Sequence, residues 1–173
     1  RHLELYFAAP CTGRVLHTLN IRLFPEQVTY IVNHAEDEVI FVDRSLLGLL
    51  APLLPTFTTV RHLVIMDDGK GDIPEVPANY AVHDYEELLA SASADAFAWR
   101  DLDERSAAAM CFTSGTTGRP KGVVYSHRAI ALHSIASMMS GGIDLRERDV
   151  VLPVVPMFHA NAWGLPFTCT LAG

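Results

Sequence analysis

The chain has 173 residues, is half apolar and carries a formal net charge of −7. That length and apolar content suffice for one domain-sized core. The acidic balance excludes a broad basic surface for nucleic acid, so any anion must be held at a local site.

In chain order, residues 2–9 (HLELYFAA) read as the tail of a helix and "RVLHTLNI" (14–21) as a short buried strand. "PEQVTYIVNHAE" (25–36) spaces Val28, Ile31, Val32 and Ala35 as a helix does. Pro25 suits its first position, while Phe24 before it offers no side-chain acceptor and is a poor N-cap. "EVIFVD" (38–43) is a strand of β-branched and aromatic residues. "RSLLGLLAPLL" (44–54) reads as a helix that Pro52 ends or distorts. "VRHLVIMD" (60–67) is a further strand and 68–79 a loop rich in Gly and Pro. "DYEELLASA" (84–92) is a helix with Asp84 and Glu87 spaced as a capping box. Residues 95–106 are a polar connector, and "AAAMCFT" (107–113) is a buried strand. "VVYS" (123–126) is a short strand, and "HRAIALHSIASMMS" (127–140) a helix capped by Ser126 and ended by Gly141-Gly142. "DVVLPVVPMF" (149–158) is a strand broken by two prolines, and 159–167 a loop or helix start. The order strand, helix, strand, helix, strand predicts an α/β fold with a largely parallel sheet and flanking helices.

Cys11, Cys111 and Cys169 are widely spaced, with no CxxC pair. They form neither a disulfide framework nor a zinc site, and a reducing, cytoplasmic setting is expected. Cys111 reads as a small buried hydrophobe. No run approaches the ~20 apolar residues of a membrane span. The first residues carry neither an initiator Met nor a signal-peptide pattern, and the last are apolar. A piece of a longer protein is the expectation.

The stretch "TSGTTGRPKG" (113–122) stands apart. It holds three glycines, three threonines, a serine and two cations between apolar flanks. Lys121 is one of only two lysines in the chain. Glycines at 115, 118 and 122 allow positive φ, so that backbone amides curl inward as an anion nest. The hydroxyls of Thr113, Ser114, Thr116 and Thr117 add donors. Lys121 adds a point charge, and Pro120 stiffens the loop beside it. An ordinary hairpin turn remains equally open on spacing alone. Two other phosphate loops do not fit: Arg119 and Pro120 separate Gly118 from Lys121, which breaks the Walker A pattern, and the glycine spacing is not that of a dinucleotide fingerprint.

"TSGTTGRPKGVVYSHRA" resembles the signature of the adenylate-forming enzymes, which include acyl-CoA synthetases, amino-acid-activating domains and luciferases. Every fixed position of [ST]-[ST]-G-[ST]-[ST]-G-x-P-K-G is present. "VLHTLNIRLFPEQVTYIVNHAED" (15–37) and "VPMFHANAWGLPF" (155–167) are similar to segments before and after that signature in medium- and long-chain fatty acyl-CoA synthetases. The family usually has Ser where Phe24 stands. The resemblance implies that residues 1–173 are part of a large N-terminal AMP-binding domain, with the C-terminal domain absent. It implies a reaction of ATP with a medium- or long-chain fatty acid to an acyl-adenylate, then transfer to CoA, with Mg²⁺ as cofactor. The alternatives are a ligase for aryl or other carboxylic acids or another adenylate-forming relative, and, in another class, a non-catalytic phosphate-binding or scaffold domain. It implies that Ser114, Gly115, Thr116, Thr117, Gly118 and Lys121 cradle the β- and γ-phosphates, and that Thr113 helps hold Mg²⁺. His159 and Ala160 would lie at the acyl carboxylate, and Trp163 would line or gate the acyl tunnel. For Thr113, His159 and Trp163 the plain structural alternatives are a strand-end threonine, a hydrogen-bonded core histidine and core packing. Arg119 reads as a solvated charge, and His127 and Arg128 as surface residues, the alternative being a phosphate contact at the helix N-terminus. The family's later Mg²⁺-binding Glu, ribose-binding Asp and C-terminal Lys are absent from residues 1–173, so this stretch alone is expected not to turn over. A peripheral membrane contact and a homodimer of the parent both stay open.

Overall fold

A computed structural model describes residues 1–67, 69, 72–113 and 118–173, with Ala96 by its backbone alone. The elements in chain order are α1 (His2–Cys11), β1 (Leu16–His17), α2 (Pro25–Ala35), β2 (Val39–Asp43), α3 (Leu47–Leu50), β3 (His62–Met66), β4 (Ala81–Asp84), α4 (Tyr85–Ser91), β5 (Ala107–Thr113), β6 (Lys121–Ser126), α5 (His127–Met138), the single turn α6 (Ala160–Trp163) and α7 (Leu165–Ala172). They form two compact units: Ile21–Ala98, and Arg1–Asn20 together with Trp99–Gly173. Three of the four strand pairings are parallel, as expected for the α/β class.

In the unit 21–98, three parallel strands lie in the order β2, β3, β4. The central β3 buries Leu63, Val64, Ile65 and Met66 in succession, as a parallel strand covered on both faces requires. β2 instead alternates, burying Ile40 and Val42. At the start of α2, Gln27 Oε1 accepts the Phe24 backbone N–H at 3.2 Å, and the Gln27 N–H, which a side-chain cap would have met, reaches the Phe24 carbonyl at 2.9 Å. At its far end Asn33 donates to the Thr56 carbonyl at 2.9 Å and accepts from Thr58 N–H at 2.8 Å. Asp84 caps α4 by accepting the Glu87 N–H at 2.9 Å. Residues 44–54 are not one helix. Two 3₁₀ turns, Arg44–Leu46 and Ala51–Thr56, flank the four-residue α3. Pro52 and Pro55 lack the N–H that a continuing α-helix needs. β4 is a strand that the sequence reading placed partly in the Tyr85 helix and otherwise missed.

In the second unit β5 is central, parallel to β1 and antiparallel to β6. Ala108 and Ala109 are fully buried; small side chains there let helices approach the sheet closely. Tyr6 of α1 packs with Leu16, Ala109, Met157 and Phe167, and its hydroxyl donates to the Met157 carbonyl. Burial pushes its phenol pKa up. β1 is only two residues long. α5 ends at Met138, with Met139 extended, so the two glycines do not act as a left-handed cap. Gly142 is required for a different reason: a Cβ there would lie 2.6 Å from the Ala136 carbonyl oxygen. The predicted strand 149–158 is irregular, and Val150, Leu152 and Val154 are exposed. Pro153 and Pro156 remove two ladder donors. No helix among the described residues is long and apolar enough to cross a membrane.

Candidate functional site

β5 and β6 pair from Ala107↔Ser126 to Thr113↔Lys121, so the glycine stretch joins the arms of a β-hairpin. The pairing makes the flanking strands hairpin arms, which is compatible with a plain turn and with a phosphate loop alike, and it sets Thr113 directly opposite Lys121. Cross-strand partners have Cβ atoms roughly 4.5–5.5 Å apart. Thr113 Oγ1 donates to the Lys121 carbonyl at 3.4 Å, and both side chains are exposed. Ser114, Gly115, Thr116 and Thr117 lie outside the described residues. Gly118 and Gly122 are not in the positive-φ region, which corrects the reason given for them above. Gly122 stands opposite Phe112, and a Cβ there would lie 3.1 Å from the ring's Cζ. It makes room for that ring.

Ser126 Oγ accepts the Ala129 N–H at 3.1 Å and starts α5 as expected. Arg128 forms an ion pair with Glu104 at 2.7 Å on the surface. His127 is half-buried, not a surface residue, and lines a cavity of about 330 Å³ with Phe7, Ile130, Ser134 and Phe167. None of the described site residues predicted from the sequence lines that cavity.

His159, Ala160 and Trp163 sit on an unusual turn. Ala160, Asn161, Ala162 and Trp163 have φ of 45°, 49°, 52° and 57°, and Gly164 follows at 69°. For residues with a Cβ this hand costs about 1–2 kcal/mol each, so the surroundings must impose it. Two sets of contacts do so. From outside, His133 Nε2 lies 2.9 Å from the Trp163 carbonyl; a carbonyl only accepts, so the imidazole proton is on Nε2. From inside, Asn161 is 3 % exposed and its Oδ1 accepts from Cys111 Sγ at 3.1 Å and Thr18 Oγ1 at 3.2 Å. Thr18 Oγ1 also lies 3.3 Å from the Phe158 carbonyl. Burial pushes the Cys111 thiol pKa up, against the opposing hydrogen bonds to Thr18 and Asn161, so the group remains an S–H donor. His159 and Trp163 are exposed, Trp163 by 65 %.

Thr18 directly follows β1, and Cys111 and Thr113 point to one face of β5 two residues apart. The turn and the hairpin mouth thus meet the same end of the β1–β5 pair, the carboxyl end, outside which open α/β sheets bind ligands. Sequence reasoning missed Thr18, Asn161 and His133. Only the tolerance of Asn for left-handed backbone could have marked one of them. For Mg²⁺, Thr113 Oγ1 is an exposed oxygen donor beside Lys121, which fits one position of an ion held mainly by phosphate oxygens and water. No group of three or more His, Cys, Asp or Glu converges among the described residues.

The chain is 50 % identical over 173 residues to the 3-methylmercaptopropionyl-CoA ligase of Ruegeria pomeroyi, covering all of this chain and 32 % of that protein. It is 51 % identical over 173 residues to the long-chain-fatty-acid–CoA ligase of Thermus thermophilus, covering all of this chain and 30 % of that protein. It thus spans about a third of the length of the curated relatives it matches. Among solved structures, ATP-bound MatB from Rhodopseudomonas palustris superposes with a TM-score of 0.73 at 26 % identity, over 99 % of this chain and 31 % of that one. The AMP-binding enzyme family matches residues 1–173, and the chain belongs to that family.

Proposed function

We propose that the intact protein is an acid–CoA ligase and that residues 113–122 hold the phosphates of ATP. The carboxylate oxygen of the acid attacks the α-phosphorus, and pyrophosphate leaves; the thiol of CoA then displaces AMP from the acyl carbon. The first step brings two anions together, so it is mainly a matter of positioning and charge screening. Lys121 supplies a positive charge at the loop's base, and Ser114 to Gly118 supply backbone and hydroxyl donors. Thr113 would offer one oxygen to Mg²⁺, which when bound neutralises phosphate charge. His159 and Ala160 would meet the carboxylate, and Trp163 the acyl chain. The observation that carries this reading is the cross-strand pairing of Thr113 with Lys121 at the mouth of the signature stretch.

The test is ATP–pyrophosphate exchange by the intact protein. A charged hydrogen bond contributes about 1.5–3 kcal/mol, so Lys121→Ala is expected to lower exchange roughly 10- to 150-fold. An unchanged rate would remove Lys121 from the cradle.

The proposed acid is a medium- or long-chain fatty acid. The relatives of nearly equal identity differ in the acid their names state, which makes a short thioether-bearing acid the second reading. The same exchange run over a series of acid lengths separates the two. Trp163→Ala is expected to change the length profile; equal loss for short and long acids would reduce Trp163 to packing.

A further inference from the structure

We infer that Thr18, Cys111 and Asn161 are positioning residues that hold the turn bearing His159 and Trp163 against the strand that leads into the phosphate loop. The inference rests on the acid-activating reading above, and adds residues to which nothing in that reading gives a role.

Four consecutive non-glycine residues in left-handed backbone do not persist by local preference. Asn161 is at the centre of the four and points inward. Its Oδ1 is reached from two strands at once, from Cys111 on β5 and from Thr18 at the end of β1. The carbonyl of Phe158, just before His159, shares the Thr18 proton. Thr18 therefore touches the segment on both sides of His159. Cys111 is two residues from Thr113, which opens the loop. Three short polar side chains thus fix the register between the two halves of the site. A hydrogen-bonded cluster of this kind is buried and has one satisfied arrangement, so losing one member leaves an acceptor or donor unpaired. None of the three touches substrate in this scheme; they act through His159 and Trp163.

The test uses the intact protein labelled with 5-fluorotryptophan, the Trp163 resonance being assigned with Trp163→Phe. Thr18→Val removes the hydroxyl at nearly constant shape, and Thr18→Ser restores it. Asn161→Gly tolerates the left-handed backbone and removes the whole side-chain amide, acceptor included. Thr18→Val and Asn161→Gly are expected to shift or broaden the Trp163 fluorine line. They are expected to raise KM for the acid or lower the exchange rate about tenfold, with KM for Mg-ATP within twofold of wild type. Thr18→Ser should restore both readouts. If Thr18→Val does not fold, Cys111→Ala against Cys111→Ser makes the same comparison. An unmoved fluorine line with unchanged kinetics overturns the inference, as does equal loss in acid and ATP parameters without rescue by Ser. A moved and rescued line in a protein that activates no acid would uphold the positioning device and refute the acid-activating reading.

Discussion

At the scale of single residues, Gly164 shows how tightly the turn is specified. Its φ is 69°, and a Cβ would lie 2.8 Å from Cδ2 of His133, the ring whose Nε2 holds the Trp163 carbonyl. Gly164→Ala therefore meets both a left-handed backbone and a side chain that is not free to withdraw. The expected cost is roughly 1–2 kcal/mol from the backbone alone, read as a lower urea midpoint of the intact protein. A stability equal to wild type would mean that the ring moves aside. Gly122 faces a milder version of the same demand from Phe112. Neither need was legible in the sequence, because both arise from partners distant in the chain. Lys121 and Thr113 stood out in the sequence because their positions in the signature are local, but their pairing across the hairpin comes from the fold. The role of Cys111 was half legible: its apolar flanks announced burial, but its hydrogen bond to a residue 50 positions away did not.

At the scale of elements, the helix caps were the most readable features. Asp84 and Ser126 accept the N–H groups expected of them, because capping involves residues only three positions apart. Ser126 also links β6 to α5, immediately beyond the hairpin. Ser126→Ala is expected to destabilise the intact protein by about 0.5–2 kcal/mol, measurable by denaturant unfolding, while Ser126→Asp should recover most of that. Loss of more than this range would point to a second role for the hydroxyl. Prolines were less readable. Pro52 was expected to end or distort a helix, and α3 does stop at Leu50 just before it. What the sequence did not show is that 3₁₀ turns replace helix on both sides, with Pro55 and the buried Leu50 and Leu54 also shaping the segment. In 149–158 the apolar alternation signalled a strand, but a strand also needs a neighbour with free donors and acceptors. Two prolines and the lack of a pairing partner among the described residues leave the pattern unused.

At the scale of the whole molecule, the α/β class followed from alternation of strand and helix, whereas the division into two sheets did not. Acidic residues crowd into 67–104 and are absent from 105–142, but that shift does not fall on the boundaries of 21–98. The signature could be placed between two strands, but only the pairing of those strands makes the connection a hairpin rather than a crossover. The second unit is built from two separate stretches of chain, and Leu16 must find Ala109 across all of residues 21–98. This bears on the order of folding. The β5–β6 hairpin and the three-stranded sheet of 21–98 close over shorter distances in the chain than the β1–β5 pair does, and closures of large sequence separation are slow. If 21–98 collapses first, its two ends are drawn together and the remaining closure becomes shorter. Pulse-labelled hydrogen exchange during refolding of the intact protein is therefore expected to protect the amides of β2, β3 and β6 before those of β1. Simultaneous protection of β1 would contradict this order. On this order Thr18 is among the last residues to find its place, so the hairpin mouth forms well before the turn of His159 is fastened to it.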